Sequence, residues 1–456
     1  MTDAVLDHKS TDEAPTPKLG ASYYKLLAAS AISNIGDGVS LIAYPWLASA
    51  ITRNPFLIAL VGVAQFLPWL IFSLPAGVIT DRYDRRSIMV SMNVLRTVLT
   101  LIVAFAVLGA QSSLPGVDEI ANGIVNSSPL LYTMILAASL LLGMAQVLYD
   151  NTAQTIIPSI VDKQNLEKAN GRLWGLEQTA NQFVGPVVGS FLLAAAFSLP
   201  FFFDAATFAV SAALIVLIPR RVTSSEVKAK ERAPWKEELK EGVRWLWGHE
   251  LLRPLAIILG LLNGIFQLAF ATLVLFAQDI LGTSPQEFAL LGTSAATAAI
   301  VGAMVSHRIN KRIGPGATLR LTLLASGVFT ALVGFASDWR IVWVLFFVTT
   351  FFGVGWNVLT VSLRQEIIPD HLLGRVNSVY RFLAWGMIPI GALLGGILVA
   401  VLEQSVSHQW ALRAPWLVAG GANLLLLVYG GPKLTTAKIH AAQAEAAARG
   451  ESDTAR

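Results

Sequence analysis

With 456 residues the chain could fill about three soluble domains, but 54% of it is hydrophobic and only 14% is charged, little more than half of the roughly 25% that a soluble protein carries. Its charges sit in short clusters between apolar stretches of about 20 to 30 residues, which excludes an ordinary soluble fold and sets most of the surface against lipid. The lack of cysteine excludes disulfide frameworks, thiolate metal sites and cysteine nucleophiles, the six histidines have no HExxH spacing, and the formal charge of +4 concerns orientation in a bilayer rather than nucleic acid.

Residues 1–20 are polar, with Pro15 and Pro17 and no apolar core, and read as a disordered cytoplasmic tail rather than a signal peptide. The apolar periodicity then predicts spans at about 23–51, 56–80, 87–110, 129–157, 168–197 and 199–219, and a second set at about 252–281, 287–307, 316–337, 340–368, 372–402 and 411–430. These are expected to be twelve helices, because lipid leaves no partner for open backbone groups and the runs are too long and unbroken for barrel strands. The expected organisation is a six-helix bundle over 21–219, a cytoplasmic linker over 220–250, a second six-helix bundle over 251–430 and a cytoplasmic tail over 431–456.

Basic residues concentrate in the tails and the even-numbered connections. Only Arg53, Arg340 and Arg413 fall on the other side, and Arg96 is left inside the third span. That asymmetry predicts both termini in the cytoplasm. Within the linker, Trp235, Leu239, Val243 and Leu246 share one helical face, the pattern of a helix lying along the membrane surface.

The two sets of spans resemble each other. Pro55–Gly62 aligns with Pro285–Gly292, Gln154–Pro158 with Gln365–Pro369 and Leu166–Asn170 with Leu373–Asn377, in the same order along corresponding spans. The chain therefore reads as two six-helix pseudo-repeats, an all-α polytopic membrane protein whose halves can rock about a site near the bilayer midplane. No GxxxxGK[ST] sequence is present to couple such motion to ATP within this chain.

Between spans two and three, Gly77-Val-Ile-Thr-Asp81-Arg82-Tyr83-Asp84-Arg85-Arg86 resembles the cytoplasmic loop signature G-x-x-x-D-R-x-G-R-[RK] of the major facilitator superfamily, with Asp84 in place of the second glycine. The resemblance covers essentially the whole chain. It implies a latch in which Gly77 lets helices approach, Asp81 lies near a helix terminus, and Arg82 and Arg85 bridge the halves when the cytoplasmic side is shut. The equivalent second-half loop keeps Gly302 and the basic residues but carries Ser306 at the acid's place. Gly185-Pro186-Val-Val-Gly189 in span five resembles the signature of the family's antiporters, implying export and a helix bend, with close packing as the simpler reading. The expected earlier glycine is Asn181, and span four lacks the arginine motif of many drug antiporters. Asn34-Ile-Gly-Asp37 and Phe203-Asp204-Ala-Ala-Thr-Phe208 are closer in style to the branch of macrolide-efflux and enterobactin exporters.

A charge at the bilayer centre costs about 2.5–3.5 kcal/mol even on the insertion scale, so acids inside spans call for a reason. Asp37 lies near the middle of span one with Asn34 and Tyr44 on its face, and is expected either to take the coupling proton or to bind a cationic group; the alternative is a helix-to-helix hydrogen bond. Glu177 and Asn181 continue a polar stripe in span five, with pairing to a basic loop residue as the alternative for Glu177; Asp204 sits inside the outer end of span six, where the helix N-terminal dipole is an alternative explanation, and Asp150, near the inner end of span four, reads as a gate contact in the latch. From the second half, Asn263, Gln267, Asn357 and Arg381 are candidates for substrate hydrogen bonds or for packing between helices, and Trp174, Trp356 and Trp385 are aromatic surfaces for an amphipathic molecule or interfacial anchors.

Together these features predict a secondary active transporter, not an enzyme, that works by alternating access and exports an amphipathic small organic molecule of the drug, macrolide or siderophore class in exchange for protons. Its partners are the substrate, protons and membrane lipid, with no nucleic acid, no metal and no cofactor beyond the proton gradient, and it is expected to work as a monomer in a plasma or bacterial inner membrane. Uptake, lipid flipping and a non-transporting sensor are the alternatives left open.

Overall fold

The computed structural model describes residues 19–72, 75–76, 79–80, 83–120, 125–162, 165–219 and 235–454. Among them the regular structure is helical and no strand occurs. The first half contains α1 (Ala21–Ile51), α2 (Pro55–Ile71), α3 (Arg85–Ala110), α4 (Pro129–Ile160), α5 (Leu166–Thr179), α6 (Gly185–Ala195) and α7 (Leu199–Val216). After α8 (Trp235–Gly248) come α9 (Leu252–Phe270), α10 (Leu273–Asp279), α11 (Pro285–Ile313), α12 (Pro315–Val333), α13 (Trp339–Ile367), α14 (Asp370–Leu402), α15 (His408–Gly430) and α16 (Thr436–Thr454).

Local chemistry sets many of the helix starts. Proline opens α2, α4, α11 and α12, where its missing N–H costs no helical hydrogen bond. Asn54 caps α2 by accepting from the N–H of Phe56 and Leu57, and Ser284 caps α11 in a reciprocal box with Glu287, so the aligned Pro55 and Pro285 begin their helices in the same way.

Ten helical stretches among the described residues are long and apolar enough to cross a membrane. The chain is a multi-pass membrane protein. The two remaining expected spans differ in form: α2 is an apolar helix of 17 residues, and the expected fifth span is interrupted, with a π-helical turn at Ala180–Val184 joining α5 to α6. That turn ends next to Pro186, whose missing N–H and ring disfavour a regular α ladder across the joint. The expected seventh span is also divided, with α9 ending before Ala271 and α10 restarting at Leu273.

Helices of the first half pack mainly among themselves, α1 and α3 on α7, α3 and α2 on α4, and α6 on α1. In the second half α9 packs on α14, α11 on α13 and α15 on α12. The groups meet along α2–α14 and α6–α11.

At the end away from Leu19 and α16, here the far end, one buried core includes Trp46, Leu47 and Phe201 from the first half and Phe276, Phe288 and Trp416 from the second. At the near end the described buried residues form two separate cores, one around Tyr23, Tyr149 and Leu173 and one around Leu252, Trp356 and Tyr380. The linker helix α8 belongs to the latter: Leu246 is buried in it, Arg375 of α14 pairs with Glu241, and Val243 is exposed. The side chains of Trp235 and Leu239 lie outside the described residues. The tail forms α16, packed on α12 and α13.

Candidate functional site

Arg96 of α3 has no water to solvate it at 2% exposure, so its five donors must be met by protein. It forms an ion pair with Asp37 of α1, and its Nη1 lies 3.3 Å from Ser33 Oγ and 3.5 Å from Asn93 Oδ1. Asn93 donates in turn to Ser211 Oγ at 2.8 Å, which ties α3 to α7. The guanidinium stands 3.7 Å over the Phe208 ring and 5.7 Å from that of Tyr149. Thus Asp37 has a specific partner on another span, which the sequence reading passed over. The signal was present: Arg96 is the one basic residue placed in the middle of an apolar segment of the first half, opposite in sign to the one central acid.

Three more acids gather round this pair. Asp204 of α7, 2% exposed, accepts from Ser40 Oγ at 2.7 Å through Oδ2, while its buried Oδ1 has no hydrogen-bond partner. Asp150 of α4 accepts from Gln146 Nε2 through both oxygens, at 3.0 and 2.9 Å. Asp150, Asp204 and Glu177 of α5 are all within electrostatic reach of Asp37. Asp150 therefore sits with the acid cluster, and no bond between it and the other half is seen among the described residues. Asn34 donates to its own helix at Ser30 O, 2.9 Å away.

The Gly185-Pro186-x-x-Gly189 segment packs directly on this region of α1. A Cβ on Gly185 would strike the backbone of Gly38 and Ile35, one on Gly189 the backbone of Val39, and one on Gly38 the carbonyl of Asn181 and the ring of Pro186. Asn181 lies in the π turn, where its Oδ1 accepts from Gln182 Nε2 at 2.9 Å. The π turn and the close approach are thus joined in one feature, which holds α1 at the position of Asp37.

A cavity of about 430 Å³ lies against the second half, within the ~300–1,000 Å³ range of sites for drug-sized molecules. Asn263 and Gln267 of α9, Asn357 and Arg364 of α13, and Tyr380, Arg381 and Trp385 of α14 line it, with Phe66 of α2 from the first half. Gln267, Asn357 and Arg381 thus converge on one space, which the acid cluster does not line. Arg364 stacks over Tyr380 at 4.7 Å and donates to Thr360 O at 3.3 Å; neither Arg364 nor Tyr380 stood among the residues expected from sequence. Trp385 stacks on Trp69 of α2 at 4.8 Å, linking the halves beside the cavity. Trp356 is buried and Trp174 is exposed on α5.

At the far end Arg53 crosses between the groups of helices, donating to Gln278 Oε1 at 2.6 Å and pairing with Asp279. His408 Nε2 lies 2.9 Å from the same Asp279, and its Nδ1 is 2.8 Å from Glu403. Gln278 also donates to Ser49 Oγ at 3.0 Å. Of the expected latch at the other end, Gly77, Asp81 and Arg82 lie outside the described residues. Asp84, which replaces the signature's second glycine, caps α3 by accepting from the N–H of Ser87 at 2.9 Å. Arg85 is half-buried in the first turn, and Arg86 donates to the carbonyls of Ile215 and Val216 that end α7. No group of three or more histidine or acidic side chains among the described residues is placed to hold a metal ion.

With this geometry established, comparison with known proteins is informative. A family model described as Major Facilitator Superfamily matches residues 26–388 and, in a second match, 258–450. The multidrug efflux pump Tap of Mycobacterium tuberculosis is 25% identical over 384 residues, covering 82% of this chain and 86% of that protein. The enterobactin exporter EntS of Shigella boydii is 24% identical over 422 residues, covering 90% and 93%. Among solved structures, a bacterial homologue of the iron transporter ferroportin in its inward-facing state superposes with a TM-score of 0.67 at 15% identity, over 91% of this chain and 100% of that one. At that identity the likeness concerns the fold.

Proposed function

The chain belongs to the Major Facilitator Superfamily and is a transporter rather than an enzyme, and from that premise we propose that it exports an amphipathic small organic molecule from a bacterial cell in exchange for protons. The observation that carries this reading is the asymmetry of the cores: the halves share one core at the far end and keep separate ones at the near end, with the polar cavity against the second half. Such an arrangement supports one stage of alternating access, in which six-helix halves over 21–219 and 251–430 rock about the cavity. The positive-inside asymmetry supports an inner membrane with both termini in the cytoplasm, so that the near end faces inward. Similarity to two exporters over 82% and 90% of this chain supports the outward direction.

The coupling step follows from the pairing of Asp37 with Arg96. An ionised Asp37 holds the guanidinium between α1, α3 and α7; a proton on Asp37 removes that charge and frees Arg96 to shift toward Asp150, Asp204 or Glu177. Protonation would thereby change how α1 packs on α7 and on the Gly185–Pro186 bend, the contacts that rearrange when a half tilts. Substrate would occupy the separate cavity, with Asn263, Gln267, Asn357 and Arg381 as its polar contacts.

The test is proton movement in acid-loaded proteoliposomes challenged with a panel of cationic drugs, macrolides and siderophores. Substrate-dependent proton release by the wild type, lost in Asp37→Asn with normal incorporation, is the expected result. Undiminished coupled transport in Asp37→Asn would overturn the role of this pair, and flux without proton movement would overturn antiport.

A further inference from the structure

We infer that the cavity against the second half selects aromatic anions, a substrate class set by Arg364 and Arg381; this rests on the reading of that cavity as the substrate site. The chain solves the burial of Arg96 by placing Asp37 against it, but none of the residues lining the cavity is a carboxylate, and among the described residues neither Arg364 nor Arg381 forms an ion pair with one. The acids of the first half do not supply the balance: Asp37 is paired with Arg96, and none of Asp37, Asp150, Glu177 and Asp204 lines the cavity. Arg364 is held in place by its stack on Tyr380 and its bond to Thr360 O, whereas Arg381 is exposed on the cavity wall. Two guanidiniums lining one cavity within an apolar bundle leave a positive potential for a ligand to neutralise, and their planar forks fit carboxylate, sulfonate or phosphate oxygens. Phe66, Phe266 and Trp385 supply flat apolar surface beside them, the match for a ring system bearing the anionic group.

The same oxygens could come from the headgroup of an anionic lipid, so the experiment separates the two sources. Two naphthalene probes of opposite permanent charge, naphthalene-2-sulfonate and 2-naphthyltrimethylammonium, are titrated against the full-length protein in phosphatidylcholine nanodiscs, and the anion also in nanodiscs containing phosphatidylglycerol. The sulfonate is expected to bind about tenfold or more tighter than the cation, to lose about tenfold in Arg381→Gln, and to be only partly rescued in Arg381→Lys, since Lys keeps the charge but loses the fork. Arg364→Gln should weaken it comparably, and Arg381→Gln, altering an exposed side chain, keeps the test open if the Arg364 variant fails to fold.

Preference for the cation, no binding of either probe, or sulfonate binding unchanged by Arg381→Gln would overturn the proposal. Abolition of sulfonate binding by phosphatidylglycerol would overturn it in favour of a lipid headgroup. Flux of the probes in proteoliposomes separates this idea from export itself. Arginine-dependent binding of the sulfonate without flux of it or of any compound of the panel leaves the anion site standing and removes the exporter reading; export of a cationic drug without anion binding does the reverse.

Discussion

Arg96 illustrates how a single buried side chain can hold three spans together. Its ion pair with Asp37 joins α1 to α3, and Asn93 passes the connection to Ser211 on α7. Removing one partner of a buried pair leaves the other charge uncompensated and costs about 3–5 kcal/mol, whereas removing both is far less harmful. Arg96→Gln is therefore expected to lower the thermal midpoint of the detergent-purified protein more than the double variant Asp37→Asn/Arg96→Gln does. A double variant at least as unstable as Arg96→Gln alone would show that the pair contributes nothing by its mutual neutralisation. The residues in this cluster were visible in sequence as misplaced charges, but only singly. Helical spacing shows which residues share a face with Asp37; it carries no information on which neighbouring helix supplies the counter-charge, 59 positions along the chain.

At the scale of elements, the crossing of α1 with the α5–α6 joint decides where Asp37 stands. Gly38 and Gly185 meet backbone to backbone, so a side chain at either position has nowhere to go without separating the helices. Gly185→Val should cost about 1–3 kcal/mol or more by overpacking and should abolish coupled transport even where protein reaches the membrane. Gly171→Ala in α5 is the control, because among the described residues a Cβ added there meets no other part of the chain within 4 Å. Reduced transport of equal size in both variants, measured at matched expression, would remove the packing argument. The Gly-Pro-x-x-Gly pattern announced a bend and a close contact in the sequence, but the π turn and the identity of the helix contacted come from packing. The loop that carries the family signature shows the opposite balance. Its sequence pattern was the strongest single pointer to the family, and what the structure adds is local: Asp84 serves α3 as its N-cap.

Across the whole molecule, the far end is closed by both apolar packing and the Arg53–Gln278–Asp279 contacts between halves. Ser49, which accepts from Gln278, is fully buried there. Because the chain has no cysteine, Ser49→Cys would give a single reporter for an impermeant maleimide. Arg53→Gln removes charge-assisted bonds worth about 1.5 kcal/mol or more, and should raise the labelling rate roughly tenfold by increasing the population open at the far end. An unchanged rate would mean that the apolar core alone keeps that end shut.

Chemistry that acts along the chain was readable from sequence: helical spans follow because lipid cannot satisfy an open backbone, helix starts follow from Asn54-Pro55 and Ser284-Pro285, and the family follows from the loop signature and the repeated pattern. The count of ten clear spans with two altered ones, the gathering of Asp37, Arg96, Asp150, Glu177 and Asp204, and the separation of Gln267, Asn357 and Arg381 into another space were decided by tertiary structure. The physical reason is common to all three. Periodicity assigns a residue to a face of its own helix, but charge neutralisation, cavities and backbone contacts are properties of pairs of helices, and these exist only once the spans have packed.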